Sequence, residues 1–194
     1  QSSEPQAMKI DVRRPILERH AHRHQPPTSH RDRVSTDRRR TDDRSRLGVM
    51  GGSYGGFMTT WIIGHDHRFK AAVSERAVND WYSMQGASDI GGTFNRQYLG
   101  ENATIQGDLD AILRQSPLSY AKHIESPVLI LHSENDLRCP ISQAEQLFVV
   151  LKQRRKDVEF VRFPDEDHEL SRAGRPSHRI DRFAVILDYL SRKL

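Results

Sequence analysis

The 194-residue sequence contains very little of several residue types, and each shortage excludes a class of protein. Its single cysteine, Cys139, cannot form an internal disulfide, which excludes the disulfide-stapled secreted scaffolds. No apolar run approaches the roughly 20 residues of a membrane span, and no signal-peptide-like apolar stretch precedes the first predicted strand. We therefore expect a cytoplasmic protein that makes no contact with a membrane.

The first 46 residues lack aromatic side chains altogether and have few aliphatic ones. They hold twelve basic and seven acidic residues, whereas residues 47–194 hold 18 basic and 19 acidic ones, so the basic character is confined to the front of the chain. A segment with this composition and no helical or strand periodicity cannot bury enough surface to fold. The sequence predicts a disordered basic segment of unknown origin at 1–46 and one folded domain at 47–194.

The basic segment at 1–46 is either sequence unrelated to the folded domain or a segment with one of three functions. The arginines at 38–40 could bind phosphates, but nucleic-acid binders usually add aromatics or a folded scaffold. His20, His22 and His24 alternate as in a metal-binding tract, but no cysteine or carboxylate cluster completes a site. The seven acids argue against a transit peptide. We therefore expect this segment to bind neither nucleic acid nor a metal ion.

Gly51-Gly52-Ser53-Tyr54-Gly55 is the most informative stretch of the chain. It lies between a short apolar run at 47–50 and a helix-compatible segment at 57–64. In a Gly-x-Ser-x-Gly elbow the serine occupies a strained strand-to-helix turn, and the small neighbours let the two backbones approach while Oγ projects outward. Ser53 is the candidate nucleophile, although Gly/Ser-rich loops are common and the motif alone is weak.

A serine nucleophile needs a histidine base and an acid that orients the histidine. The buried strand predicted at 127–132 is followed by Asp136, and the strand predicted at 158–163 leads into His168. Because open α/β sheets carry functional groups at the carboxyl ends of their strands, these two residues are the candidate acid and base. Taken alone, Asp136 could be a turn residue and His168 a solvated loop histidine. The order Ser53, Asp136, His168 is that of the α/β-hydrolases.

Five stretches of the chain carry a closer resemblance. The motifs are Gly-Val-Met-Gly-Gly-Ser-Tyr-Gly-Gly-Phe-Met-Thr (48–59), Phe-Lys-Ala-Ala-Val-Ser (69–74), His-Ser-Glu-Asn-Asp-Leu-Arg-Cys-Pro-Ile (132–141), Gln-Ala-Glu-Gln-Leu-Phe (143–148) and Phe-Pro-Asp-Glu-Asp-His-Glu-Leu-Ser-Arg (163–172). This pattern resembles the prolyl oligopeptidase family of serine peptidases, above all its acylaminoacyl-peptidase branch. The similarity runs from about residue 47 to 194, some three quarters of the chain.

The resemblance implies a serine peptidase of short peptides, acylaminoacyl-peptidase-like or dipeptidyl-peptidase-like, that needs no cofactor. It matches Ser53 to the nucleophile, Asp136 to the acid, His168 to the base and the backbone N–H of Tyr54 to one oxyanion donor. It also places Arg138 and Trp81 in the substrate pocket. For these last two, a surface charge and an ordinary packing residue remain open alternatives.

The resemblance also leaves two family features unmatched. No His-Gly-Gly motif, which would supply the second oxyanion donor, occurs in the sequence, and 46 residues cannot hold the family's β-propeller. The alternative hypothesis is therefore a truncated fragment that is catalytically incompetent. Its elbow strand would form an exposed apolar sheet edge, at which we expect self-association.

The hydrophobic pattern predicts part of a doubly wound, mostly parallel sheet of the α/β-hydrolase type. Strands are predicted at 47–51, 70–75, 127–132 and 158–163, and helices at 54–64, 108–114, 141–154 and 176–193. The glycine-bearing connection 75–125 is predicted to be too loop-like for the core and to rim the active site. For the last helix, one buried face is predicted to carry Phe183, Ile186, Leu187, Leu190 and Leu194.

Overall fold

The computed structural model describes residues 43–194. The first described element is the short 3-10 helix Arg44–Arg46, which the Asp43 side chain caps by accepting a hydrogen bond from the N–H of Ser45. Most of the predicted disordered segment, residues 1–42, lies outside the described residues. Residues 43–46, the last four of the predicted disordered segment, lie within the described residues and include this 3-10 helix.

Four parallel strands form the sheet of the described region, as the sequence predicts. They are β1 (Gly48–Gly52), β2 (Ala71–Glu75), β3 (Val128–Ser133) and β4 (Val158–Phe163), and they pair in chain order. The registers place Gly52 beside Glu75 and Ser133 beside Phe163, so the carboxyl ends of all four strands meet at one edge. Each predicted strand lies within one residue of the observed one.

Every residue of β2 and β3 is buried, which is why both strands are nearly continuous runs of apolar or small residues. The helices α1 (Tyr54–Ile63) and α5 (Ser142–Gln153) pack on one face of the sheet, around Ile63 and Leu147. The short α6 (Leu170–Ala173) and the long α7 (Pro176–Lys193) pack on the other, around Ile186 and Tyr189. Helices on both faces make the sheet doubly wound. Between residues 43 and 194, no helix is long and apolar enough to cross a membrane.

The prediction that the connection 75–125 lies outside the core is wrong. It contains three helices, α2 (Trp81–Ala87), α3 (Gly91–Leu99) and α4 (Leu109–Gln115), and the 3-10 helix Pro117–His123. Trp81, Met84 and Ile112 are fully buried and, with Phe57 of α1, form a third apolar cluster. One of the glycines that suggested a loop, Gly91, instead allows close packing, because a Cβ there would meet the carbonyl oxygen of Met84 at 2.6 Å.

The buried face predicted for α7 is also only partly right. Ile186 and Tyr189 are buried against the sheet, and Leu190 and Leu194 pack beside them. Phe183 and Leu187, by contrast, are 59% and 65% exposed, because the sheet contacts the helix along a stripe rotated away from them. Tyr189, which the prediction left out, fills the space over β2 and β3 instead.

Candidate active site

Ser53 lies at the sharp turn between β1 and α1. Its backbone has φ 59° and ψ −121°, a conformation that non-glycine residues adopt rarely and at a cost of about 1–3 kcal/mol. The surrounding backbone holds this turn, since the N–H of Ser53 donates to the carbonyl of Glu75 at 3.0 Å and its own carbonyl accepts from the N–H of Phe57 at 2.9 Å. Strain at one serine that neighbouring strands keep in place is the geometry of a nucleophile elbow.

Two of the elbow glycines are required by close packing. A Cβ on Gly51 would overlap the backbone carbonyl of Gly55, and a Cβ on Gly56 would stand 2.6 Å from the carbonyl oxygen of Glu75. Gly55 itself has no atom within 4 Å of the position of a Cβ. Gly51 therefore lets α1 start directly against β1, and Gly56 lets it pack directly against the end of β2.

The structure brings Ser53, Asp136 and His168 together, although 115 residues separate the first from the last. His168 Nδ1 is 2.8 Å from Asp136 Oδ2, and His168 Nε2 is 3.0 Å from Ser53 Oγ. With Asp136 ionised, Nδ1 carries the proton and donates to the carboxylate, which leaves Nε2 as an acceptor for the serine hydroxyl. These are the distances at which a base takes a proton from a serine.

The loop after β3 holds the Asp136 carboxylate in place. Asp136 is only 2% exposed, and its Oδ1 accepts hydrogen bonds from the backbone N–H groups of Arg138 and Cys139 at 2.9 and 2.8 Å. One carboxylate oxygen is thus held by the backbone and the other faces His168. The acid cannot rotate away from the imidazole without losing two charge-assisted hydrogen bonds.

His132, the last-but-one residue of β3, helps to hold this loop in place through a hydrogen bond to its backbone. It is 1% exposed, its Nε2 donates to the carbonyl of Cys139 at 2.7 Å, and burial holds its pKa below the ordinary value of 6.5. Burial likewise raises the pKa of the Cys139 thiol to about 12, so this cysteine stays protonated at neutral pH. The pair therefore forms a neutral layer beneath the carboxylate.

The neutral His132 predicts how stability depends on pH. The unfolded chain takes a proton at this histidine below about pH 6.5 and the folded chain does not, so the unfolded state binds more protons and stability falls as the pH falls. Between pH 6.5 and 5.5 we expect a loss of up to about 1 kcal/mol. Urea unfolding followed by circular dichroism at these pH values measures it. The variant His132→Gln should lose less, and parallel curves for the two proteins would contradict the prediction.

A cavity of about 200 Å³ opens beside Ser53 and His168. Its apolar wall comes from Met84, Ile90, Phe94 and Cys139, and its rim from Arg138, Glu169 and Arg172. The predicted pocket residue Arg138 therefore lies in the lining, where its guanidinium pairs with Asp89 at 2.7 Å and holds the pKa of that carboxyl below its usual range.

Trp81, the other predicted pocket residue, lies in the core and does not line this cavity. It is 1% exposed, packs edge-on against Phe57 and donates from Nε1 to the carbonyl of Gln115 at 3.0 Å. This is the packing alternative that the sequence left open. Met84, one turn further along α2, lies in the cavity wall instead.

The backbone N–H of Tyr54, the predicted oxyanion donor, is the first of α1. The first N–H groups of a helix have no acceptor within the helix, and the helix dipole gives that end a partial positive charge. Both features suit a developing oxyanion next to Ser53. Among residues 43–194, no group of three or more histidine, cysteine, aspartate or glutamate side chains is placed to hold a metal ion.

One residue of the site, Arg76, is not among the residues predicted from the sequence. It directly follows β2 and its guanidinium Nη1 is 3.1 Å from His168 Nε2. A signal for it was present, because a charged residue at the carboxyl end of a parallel strand lies where open α/β sheets place functional groups. The rule that selected Asp136 after β3 and His168 after β4 thus also points to Arg76 after β2.

Comparisons with known proteins identify the family of this chain. The model of the prolyl oligopeptidase family matches residues 35–194. The uncharacterized peptidase YuxL of Bacillus subtilis is 49% identical over 152 residues, which are 78% of this chain and 23% of that protein. The acylamino-acid-releasing enzyme of Arabidopsis thaliana is 35% identical over 136 residues, 67% of this chain and 18% of that protein.

Solved structures give the same picture. An acylaminoacyl peptidase of Pyrococcus horikoshii superposes with a TM-score of 0.74 at 36% identity, over 78% of this chain and 24% of that one. A puromycin-hydrolyzing peptidase of Mycobacterium tuberculosis superposes with a TM-score of 0.68 at 29% identity, over 78% of this chain and 22% of the other. The chain thus spans about a quarter or less of the length of these relatives.

Proposed function

Because the chain belongs to the prolyl oligopeptidase family of serine peptidases, we propose that it hydrolyses short peptides through Ser53, His168 and Asp136. The observation that carries this proposal is the continuous chain of contacts from Asp136 Oδ2 to His168 at 2.8 Å and from His168 to Ser53 Oγ at 3.0 Å. Three groups in this order give a serine its nucleophilic character at neutral pH.

In the proposed reaction, Ser53 Oγ attacks the carbonyl carbon of the scissile bond while His168 Nε2 takes the hydroxyl proton. Asp136 keeps the Nδ1 proton and stabilises the imidazolium, and the N–H of Tyr54 donates to the oxyanion. Nε2–H then protonates the leaving amine as the C–N bond breaks. Water, activated by the same histidine, hydrolyses the acyl-serine ester and restores the hydroxyl group.

The cavity beside Ser53 favours substrates with an apolar residue before the scissile bond. Its wall is made of Met84, Ile90, Phe94 and the protonated thiol of Cys139, and the charged groups at its rim are already in ion pairs. Several relatives are named as enzymes that release acylated amino acids. We therefore propose a substrate that presents an acylated apolar residue to this cavity.

Two p-nitroanilides of the same shape test the substrate class. We expect N-acetyl-Leu p-nitroanilide to be hydrolysed with a kcat/KM about 10–100 times that of N-acetyl-Asn p-nitroanilide, because the asparagine amide would lose its hydration in the cavity without gaining partners. The variant Phe94→Ala, which removes part of the apolar wall, should reduce the difference. An equal or higher rate for the asparagine substrate would contradict the proposed specificity.

Two further elements belong to the proposal. The single cysteine is buried as a free thiol, which agrees with a cytoplasmic location. The second element is self-association. In the described sheet β1 is an edge strand and Met50 is 52% exposed, so a second chain could pair along this edge. Light scattering as a function of protein concentration would detect it.

A further inference from the structure

Arg76 reaches the reacting atoms from the end of β2. Its backbone has a φ of 39°, and its guanidinium lies against the elbow, since a Cβ on Gly52 would stand 3.3 Å from Nη2. Nη1 donates to His168 Nε2 at 3.1 Å and Nη2 donates to Ser171 Oγ at 3.3 Å. The guanidinium therefore shares the one lone pair of Nε2 with the Ser53 hydroxyl.

The charge of Arg76 is not matched by a carboxylate in the described part of the chain. Its two side-chain partners, His168 and Ser171, are neutral groups, and its Nε is buried without a hydrogen-bond partner. Arg182, by comparison, forms a two-pronged ion pair with Glu75, the residue before Arg76. A partly buried guanidinium usually has such an anionic partner, since its five donors fit a carboxylate.

The position of Arg76 indicates which part of a substrate it faces. His168 Nε2 must deliver its proton to the leaving amine, so that amine comes to the same nitrogen that Nη1 contacts. Arg76 does not line the apolar cavity that would hold the acyl side. In an amino acid the carboxylate carbon is about 2.5 Å from the amine nitrogen. The carboxylate of a leaving group one residue long therefore comes within reach of this guanidinium.

We propose that Arg76 binds the free carboxylate of a single leaving residue, so that the chain favours peptides cleaved one residue before a free carboxyl terminus. The inference rests on the proposed function and names its substrate class. A carboxylate that accepts two hydrogen bonds from the guanidinium moves it away from His168. His168 Nε2 then accepts a hydrogen bond from the Ser53 hydroxyl alone. Because the hydrogen bond from Arg76 occupies the same Nε2 lone pair that accepts from Ser53, its release by the carboxylate makes recognition of the leaving group and activation of the serine one event.

Binding to an inactive chain tests this without turnover. Calorimetry on the 194-residue Ser53→Ala variant compares N-acetyl-Leu-Ala with its carboxyl-terminal amide. We expect the free acid to bind about ten times more tightly. Adding Arg76→Gln should remove the preference, and adding Arg76→Lys should retain part of it, since lysine keeps the charge without the fork. The matched control is Arg192→Gln, which removes an arginine on α7 that does not line the cavity and is already paired with Glu159, so the preference should stay intact.

Equal affinity for acid and amide, no binding of the free acid, or a preference that survives Arg76→Gln would each overturn the inference. So would a preference that is lost in Arg192→Gln as well as in Arg76→Gln, since the loss would then not be specific to Arg76. Covalent labelling of the unmutated Ser53 separates this from the proposed function. Labelling without a preference for the acid rejects only the role of Arg76, whereas a preference without labelling rejects the hydrolytic function and keeps the carboxylate site.

Discussion

Replacing Ser53 with alanine is expected to abolish both covalent labelling by a fluorophosphonate probe and hydrolysis of N-acetyl-Leu p-nitroanilide. Loss of the nucleophile in a triad costs roughly 10⁶-fold in kcat, because the remaining groups no longer have a hydroxyl to activate. The substitution keeps the Cβ and hence the backbone requirements of a residue at φ 59°. The fold should therefore persist, and the thermal unfolding midpoint should change little.

Gel fluorescence after probe treatment measures the labelling, with Ser191→Ala as the matched control. Ser191 is an exposed serine on α7 whose hydroxyl donates to the carbonyl of Asp188, far from the site in the fold. Its variant should label at the rate of the unchanged protein. Labelling that persists in Ser53→Ala would assign reactivity to another residue. A folded, unchanged chain that does not label would favour the incompetent alternative, in which the triad lacks a complete oxyanion hole.

Replacing Gly56 with alanine is expected to destabilise the chain by about 3 kcal/mol or more. The new methyl group would lie 2.6 Å from the carbonyl oxygen of Glu75 and 2.7 Å from the Cβ of Ala77, and both residues lie on the path of the chain as it leaves β2. The same Glu75 carbonyl accepts the N–H of Ser53, so relief of the overlap must also move the nucleophile. Whatever protein remains folded should label more slowly. Urea unfolding and the labelling rate measure the two effects.

The neighbouring glycine provides a close control. Gly55 lies in the same first turn of α1 but faces open space, with no atom within 4 Å of a Cβ. Gly55→Ala should be neutral or stabilising by up to about 1 kcal/mol, because alanine favours the helix more than glycine does. If Gly55→Ala and Gly56→Ala changed the free energy of unfolding equally, the close approach of α1 to β2 would not explain why residue 56 is a glycine.

The strands and the main helices could be predicted from local pattern alone. β2 and β3 are buried on both faces, so their sequences, Ala-Ala-Val-Ser-Glu and Val-Leu-Ile-Leu-His-Ser, stand out against polar surroundings. The elbow and the residues after β3 and β4 could be placed because parallel strands end at one edge. For the same reason the sequence predicts that Ser53, Asp136 and His168 lie near one another.

The connection 75–125 could not be predicted in the same way because its glycines have two meanings. Gly91 reads as a helix breaker, but in the fold it lets α3 begin against the carbonyl of Met84. On α7, two apolar stripes repeat at helical spacing, and the sequence does not tell which one meets the sheet. The structure buries Ile186 and Tyr189 and leaves Phe183 exposed. Packing partners far away in the sequence decide both cases.

The four strands pair in the order in which they are synthesised, and this has a consequence for the newly made chain. Ser53 emerges 115 residues before His168, so at 5–20 residues per second the serine waits roughly 6–23 s for its base. During that interval β1 and β2 can already pair, yet the hydroxyl has no group to take its proton. Under the proposed mechanism, a nascent chain cannot hydrolyse a peptide until β4 has docked and the loop that carries His168 lies beside the elbow.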